Sequence, residues 1–117
     1  MFQIFGLNKC FETKKALMYF KERRIPFSFI DLKEKELSVK EFMSIYNNFN
    51  DINQLIDSKN KLYKELYIEH MERSLEEYYN LLNEYPSLLK TPILRFKNDA
   101  IVGFDKKQYD DFINKHK

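Results

Sequence analysis

At 117 residues, with 44% hydrophobic and 16% aromatic content, the chain is read as one domain that can bury a core without disulfide staples. A net charge of +2 does not argue for nucleic acid, and no apolar run approaches the roughly 18 residues of a membrane span. With no secretory-type leader and one cysteine, which cannot close an internal disulfide, the expectation is a cytoplasmic protein without membrane contact or direct nucleic-acid binding.

The first strand is Phe2-Gln3-Ile4-Phe5, a short apolar run that stops at Gly6. Leu7-Asn8-Lys9 is a polar turn, and Cys10 follows at the head of a segment with helical spacing. Thr13, Ala16, Leu17 and Phe20 share one face, while Lys14, Lys15, Lys21 and Glu22 take the wet side. This helix is predicted over residues 11–23 and ends at Arg24-Ile25-Pro26, because the residue before proline avoids helical geometry. Residues 27–32 read as a second strand. Strand, helix and strand within about thirty residues make a βαβ unit, with parallel strands and a right-handed crossover.

The middle of the chain is helical. Ser38 and Glu41 form a capping box, and Val39, Phe42, Met43 and Tyr46 follow at i, i+3, i+4 and i+7 until Asn47-Asn48 breaks the pattern. Asp51 can cap a short segment with Ile52, Leu55 and Ile56, and Leu62, Tyr63 and Leu66 suggest a further turn or two. A second capping box, Ser74 with Glu77, opens a helix whose inner face is Leu75, Tyr78, Leu82 and Tyr85; Pro86 closes it. No internal repeat is present.

Sheet returns at the end. Residues 92–96 and 100–104 are strand-like runs around the turn Lys97-Asn98-Asp99, and Asp105 with Gln108 caps a last helix presenting Tyr109, Phe112 and Ile113. Gly103 reads as a position of close packing or a bend. Tyr63, Tyr67, Tyr78, Tyr79 and Tyr85 read as core and rim, and His70 and His116 as solvated. Two histidines and one cysteine, far apart in sequence, offer no metal-ligand spacing.

Chemistry centres on Cys10. A thiol at a helix N-terminus faces unpaired N–H groups and the positive end of the helix dipole, both of which favour the reactive thiolate. Lys9, with Lys14 and Lys15 one turn on, adds positive charge. The competing reading is a buried, inert cysteine packed as a small hydrophobe. Thr13 is either a helix residue facing the sheet or a hydroxyl donor to the Cys10 thiolate. For Thr91-Pro92 the residues alone predict a trans bond.

The stretches FGLNKCFETKKA, IPFSFIDLKEKELS, LIDSKNKLYKEL, YPSLLKTPIL and IVGFDKKQYDDF, in that order, resemble the thioredoxin superfamily. More narrowly, the chain resembles the branch that holds the glutathione-linked arsenate reductases and the Spx/MgsR-type regulators, most of all its small single-cysteine members. The resemblance implies an α/β, thioredoxin-like fold: β-α-β, a helical insert and β-β-α around a four-stranded mixed sheet. The thioredoxin-like core is then residues 1–35 and 88–117, with the insert at 36–87, and the whole of 1–117 is one domain. It implies a cis Thr91-Pro92 bond beside the cysteine loop, with the Thr91 backbone free to pair with a thiol peptide.

The function implied is that of a single-cysteine, glutathione-dependent thiol oxidoreductase, a monomer with no bound cofactor or metal and glutathione as co-substrate. Cys10 is the expected nucleophile. Asn8, Lys9, Thr13, Lys14, Lys59, Lys90, Thr91 and Pro92 are the expected substrate and glutathione surface. Two departures qualify this. Arsenate reductases carry arginine immediately before this proline and another in the middle segment, where this chain has Thr91 and, at the nearest match, Lys59. Each charge-assisted hydrogen bond is worth about 1.5–3 kcal/mol, so weak or no arsenate turnover is expected. Many Spx-type regulators carry a second cysteine where this chain has Thr13, so any resolving thiol must come from another molecule. The alternative is a regulator of the Spx/MgsR type that contacts RNA polymerase.

Overall fold

The computed structural model describes residues 1–117. Its centre is one four-stranded sheet in the order β2-β1-β3-β4. Strand β1 (Phe2–Gly6) pairs in parallel with β2 (Phe27–Asp31) and antiparallel with β3 (Ile93–Phe96). β3 in turn pairs antiparallel with β4 (Asp99–Val102). Ile4 sits at the crossing of this register, opposite Phe29 on one side and Leu94 on the other. The arrangement is the thioredoxin-like mixed sheet expected from the sequence.

Strand alternation divides the core in two. Phe2, Ile4 and Leu94 point to one face, where α1 (Phe11–Glu22) and the C-terminal helix cover them with Ala16, Tyr19, Phe20, Tyr109, Phe112 and Ile113. Phe5 and Ile93 point to the other. There they meet Phe42 and Ile45 of α2 (Val39–Tyr46), Leu82 of α4 (Leu75–Glu84), and the intervening Leu55, Ile56 and Ile68. Between α2 and α4 lies the short α3 (Lys61–Glu65). The C-terminal helix, α5, spans Lys106–Lys115.

Helix starts follow the predicted caps. Ser38 with Glu41 and Ser74 with Glu77 both form reciprocal capping boxes. Asp51 caps a 3-10 turn at Ile52–Gln54, and the Asp105 side chain accepts from the Gln108 N–H. Strand limits differ more from expectation. β3 begins at Ile93, since Pro92 has no N–H to give the ladder. β4 covers 99–102 and not 100–104, because Gly103 adopts φ +87° and turns the chain out of the sheet. Phe104 then packs edge-on against Tyr19 and Tyr109.

His116 corrects the sequence reading. It is half-buried, with ring centroids 4.7 Å from both Phe96 and Phe112, and its Nε2–H donates to Asp99 at 2.7 Å. Lys115 reaches the same carboxylate at 3.0 Å. Burial works to raise the Asp99 carboxyl, but hydrogen bonds from His116 and Lys115 outweigh it and hold the group below its ordinary range. A carboxylate depressed in the fold stabilises above its unfolded pKa, and the contribution fades as pH falls through the folded value. Asp99→Asn is therefore expected to lose stability at neutral pH and to show a flatter acid limb than wild type, read from urea midpoints across pH.

Gly6 is required by contact. A Cβ there would lie 2.6 Å from both Cγ2 and Oγ1 of Thr13, a short, β-branched side chain with no exposed surface. Gly6→Ala is expected to cost about 1–3 kcal/mol by overpacking, measured as a lower urea midpoint.

Candidate functional site

β1 ends at Gly6, and the turn after it closes with the Cys10 N–H donating to the Leu7 carbonyl at 2.9 Å. Cys10 is the N-cap of α1, in extended conformation, and its side chain caps nothing. The sulfur is partly exposed. Across the fold, the Cys10 Sγ–H donates to the Thr91 carbonyl at 3.6 Å. The Thr91-Pro92 bond is cis.

Burial works to push the Cys10 thiol up. The hydroxyls of Thr13 and Thr91 and the N–H groups of Thr13 and Glu12 outweigh it and hold the thiol below its ordinary value. Thr13 fills the first of its two expected roles: it is fully buried against the strand end, with its Oγ1 packed where a Gly6 Cβ would lie. The Thr13 hydroxyl has no hydrogen-bond partner. A buried unsatisfied group costs about 1–3 kcal/mol. Hydrogen bonds, and not nearby lysines, carry the lowering at Cys10.

Cys10 opens onto a groove of about 860 Å³. Its far wall forms because Ile56 and Leu89 make an isolated antiparallel bridge, flanked by Asp57 N–H to Leu88 O and Lys90 N–H to Leu55 O, each 2.7 Å. That clasp lays residues 55–57 beside 88–90 and presents Asp57, Lys59 and Lys90 to the groove. The near wall is Ile101, Val102 and Gly103 with Glu12 and Gln108. Between the walls lies Thr91, whose N–H makes no backbone hydrogen bond.

Of the expected site residues, Lys9, Cys10, Lys59, Lys90 and Thr91 come together in this groove. Pro92 is buried behind Thr91, with its carbonyl accepting from the Gly103 N–H at 2.7 Å. Asn8 turns the other way and ties its amide to Asp31 at 2.9 Å. Lys14 lies on the outer face of α1 with Phe11, Lys15 and Met18 and does not line the groove. Glu12 and Asp57 enter the groove unanticipated. Glu12 was legible in principle, two residues after the cysteine on the first turn; Asp57 depended on the bridge. No arginine lines the groove. Arg95 instead donates to Gln3 Oε1 at 2.8 Å, and Arg23 lies over the Tyr19 ring at 3.7 Å.

A family model described as the ArsC family matches residues 5–112. The chain is 25% identical over 114 residues to the global transcriptional regulator Spx of Bacillus subtilis, covering 97% of this chain and 87% of that one. It is 28% identical over 111 residues to a global transcriptional regulator Spx 2 of Oceanobacillus iheyensis, covering 94% and 82%. Among solved structures, an arsenate reductase from Vibrio cholerae superposes with a TM-score of 0.82 at 23% identity over 94% of this chain and 95% of that one. The Staphylococcus aureus protein SACOL0876 gives 0.78 at 25% identity over 95% and 97%. The family match spans the cysteine turn, the clasp and the Thr91-Pro92 edge alike, and on that ground the chain belongs to the ArsC family.

Proposed function

We propose that this protein is a thiol-based redox protein in which Cys10 exchanges disulfides with glutathione or a glutathione-like thiol. The carrying observation is the sulfur's place. It stands at the head of α1, held below the ordinary thiol range by hydrogen bonds, and it faces a groove beside an unpaired Thr91 N–H. A peptidic thiol lying along Thr91 would pair with that N–H as a short edge strand, with its own sulfur brought toward Cys10.

The chemistry is thiol–disulfide exchange. The Cys10 thiolate attacks the glutathionyl sulfur of a mixed disulfide R–S–S–G; the old S–S bond breaks, and RS⁻ leaves and takes a proton from water. A second glutathione thiolate then attacks Cys10–S–S–G, releasing oxidised glutathione and restoring the Cys10 thiolate. R–S–S–G is reduced and glutathione oxidised, with Cys10 unchanged over the cycle. A single cysteine suffices, since the second sulfur comes from glutathione.

The test is the pH profile of Cys10 alkylation. The rate should rise through a midpoint below that of free cysteine. In Thr13→Val the midpoint should move up, because the isosteric side chain keeps the packing against Gly6 and removes the hydroxyl. A wild-type thiol no faster than free cysteine at pH 7 would sink the reading.

A second reading, a transcriptional regulator of the Spx type contacting RNA polymerase, draws on the names of the relatives. Thr13 in place of a second cysteine removes a two-cysteine switch from such a regulator. Retention of polymerase subunits by the purified protein, with no thiol exchange, would favour it over the enzyme.

A further inference from the structure

The groove is not uniformly basic. Lys59 and Lys90 project from the clasp wall, together with Asp57. At the opposite end, Glu12 stands on the first turn of α1 beside Gly103. Its Oε2 lies 3.9 Å from where a Gly103 Cβ would sit. Because Gly103 has no side chain, this end stays open. Glu12 joins none of the structure's ion pairs and makes no side-chain hydrogen bond. Its charge is felt locally: burial first, and then Glu12, raise the Tyr109 hydroxyl, whose O–H donates to the Gly103 carbonyl at 2.8 Å.

The groove therefore carries the Glu12 carboxylate on one wall and, on the other, two ammonium groups, Lys59 and Lys90, against the single carboxylate of Asp57; Lys9 lines it next to Cys10 in the chain. Cys10 and the unpaired Thr91 N–H lie between them. An oxyanion meets a carboxylate on approach and no arginine fork to hold it. A peptidic thiol with an ammonium at one end, a carboxylate at the other and sulfur between them sets its ammonium against Glu12 and its carboxylate against Lys59 and Lys90.

We infer that Glu12 is a specificity-determining residue that binds the ammonium of a zwitterionic peptidic disulfide and so fixes the direction in which the ligand crosses Cys10. For glutathione, the γ-glutamyl ammonium lies at Glu12, with the α-carboxylate on the same carbon turned out to solvent, and the glycyl carboxylate lies at Lys59 and Lys90. The inference rests on the redox reading above and adds to it the orientation and charge class of the substrate. The reporting step is Cys10–S⁻ + G–S–S–G → Cys10–S–S–G + GS⁻, in which one glutathione disulfide is broken and one mixed disulfide formed.

The experiment is a double cycle on ligand and protein. Rates of mixed-disulfide formation at Cys10 are followed by intact-mass spectrometry, using oxidised glutathione and its bis-N-acetyl derivative, on wild type and Glu12→Gln. In wild type, acetylation should slow the reaction about tenfold, the size expected for one charge-assisted contact. Glu12→Gln should slow oxidised glutathione about as much and leave the acetylated probe nearly unaffected. Lys59→Ala, at the other end, should slow both probes and preserve their ratio. Equal slowing by acetylation in wild type and Glu12→Gln overturns the inference while leaving the redox reading intact. No mixed disulfide with either probe overturns the redox reading itself, and the inference with it.

Discussion

Cys10→Ser should abolish mixed-disulfide formation and any turnover while leaving the melting curve nearly unchanged. The loss is complete because the chain holds no other thiol to substitute. The stability expectation follows from position: Cys10 is partly exposed and belongs to neither core cluster, so its replacement opens no cavity. Its present hydrogen bond runs from Sγ to the Thr91 carbonyl at 3.6 Å, and a serine O–H can donate to the same group. Serine is also a favoured N-cap, and α1 now begins without a side-chain cap. A good cap is worth about 0.5–2 kcal/mol over none, so any change in melting should be slight or upward. A large drop in melting temperature together with lost activity would identify a structural cysteine.

The second large effect concerns arsenate. Arsenate should fail to protect Cys10 from alkylation, and the double replacement Lys59→Arg with Thr91→Arg should strengthen its protection by on the order of a hundredfold or more. Planar, forked donors match an oxyanion where an ammonium or a neutral hydroxyl does not, and each charge-assisted bond regained is worth about 1.5–3 kcal/mol. Two such bonds make the hundredfold. Both positions line the groove with Cys10, so new guanidinium groups there lie within its reach. Protection of the unaltered protein by arsenate would contradict the argument from missing arginines.

Most of the fold was legible because its signals are short-range. The capping boxes at Ser38 and Ser74 act over three residues, and both form as read. The alternation of Phe2, Ile4 and Phe5 across a pleat assigns each side chain to its face before any partner is known. The limits of β4 were misjudged because Val102, Gly103 and Phe104 look strand-like in isolation. Tyr109 holds the Gly103 carbonyl, and Phe104 is taken into the aromatic cluster under α1. His116 was misjudged for a similar reason: its partners, Asp99, Phe96 and Phe112, lie on three different elements or turns.

For the site, the sequence alone determined the thiol and its setting: one cysteine, after a polar turn, at the head of a helix. Those are properties of a dozen consecutive residues, and hydrogen bonds and dipoles at a helix start act within one turn. Only the tertiary structure decided what faces the sulfur. Thr91, 81 positions along the chain, supplies a carbonyl and a hydroxyl; the Ile56–Leu89 bridge swings Lys59 and Asp57 into view; Asn8 and Lys14 turn away despite their nearness in sequence. Which charges share a groove depends on how separate segments pack, and packing is settled by the whole core at once.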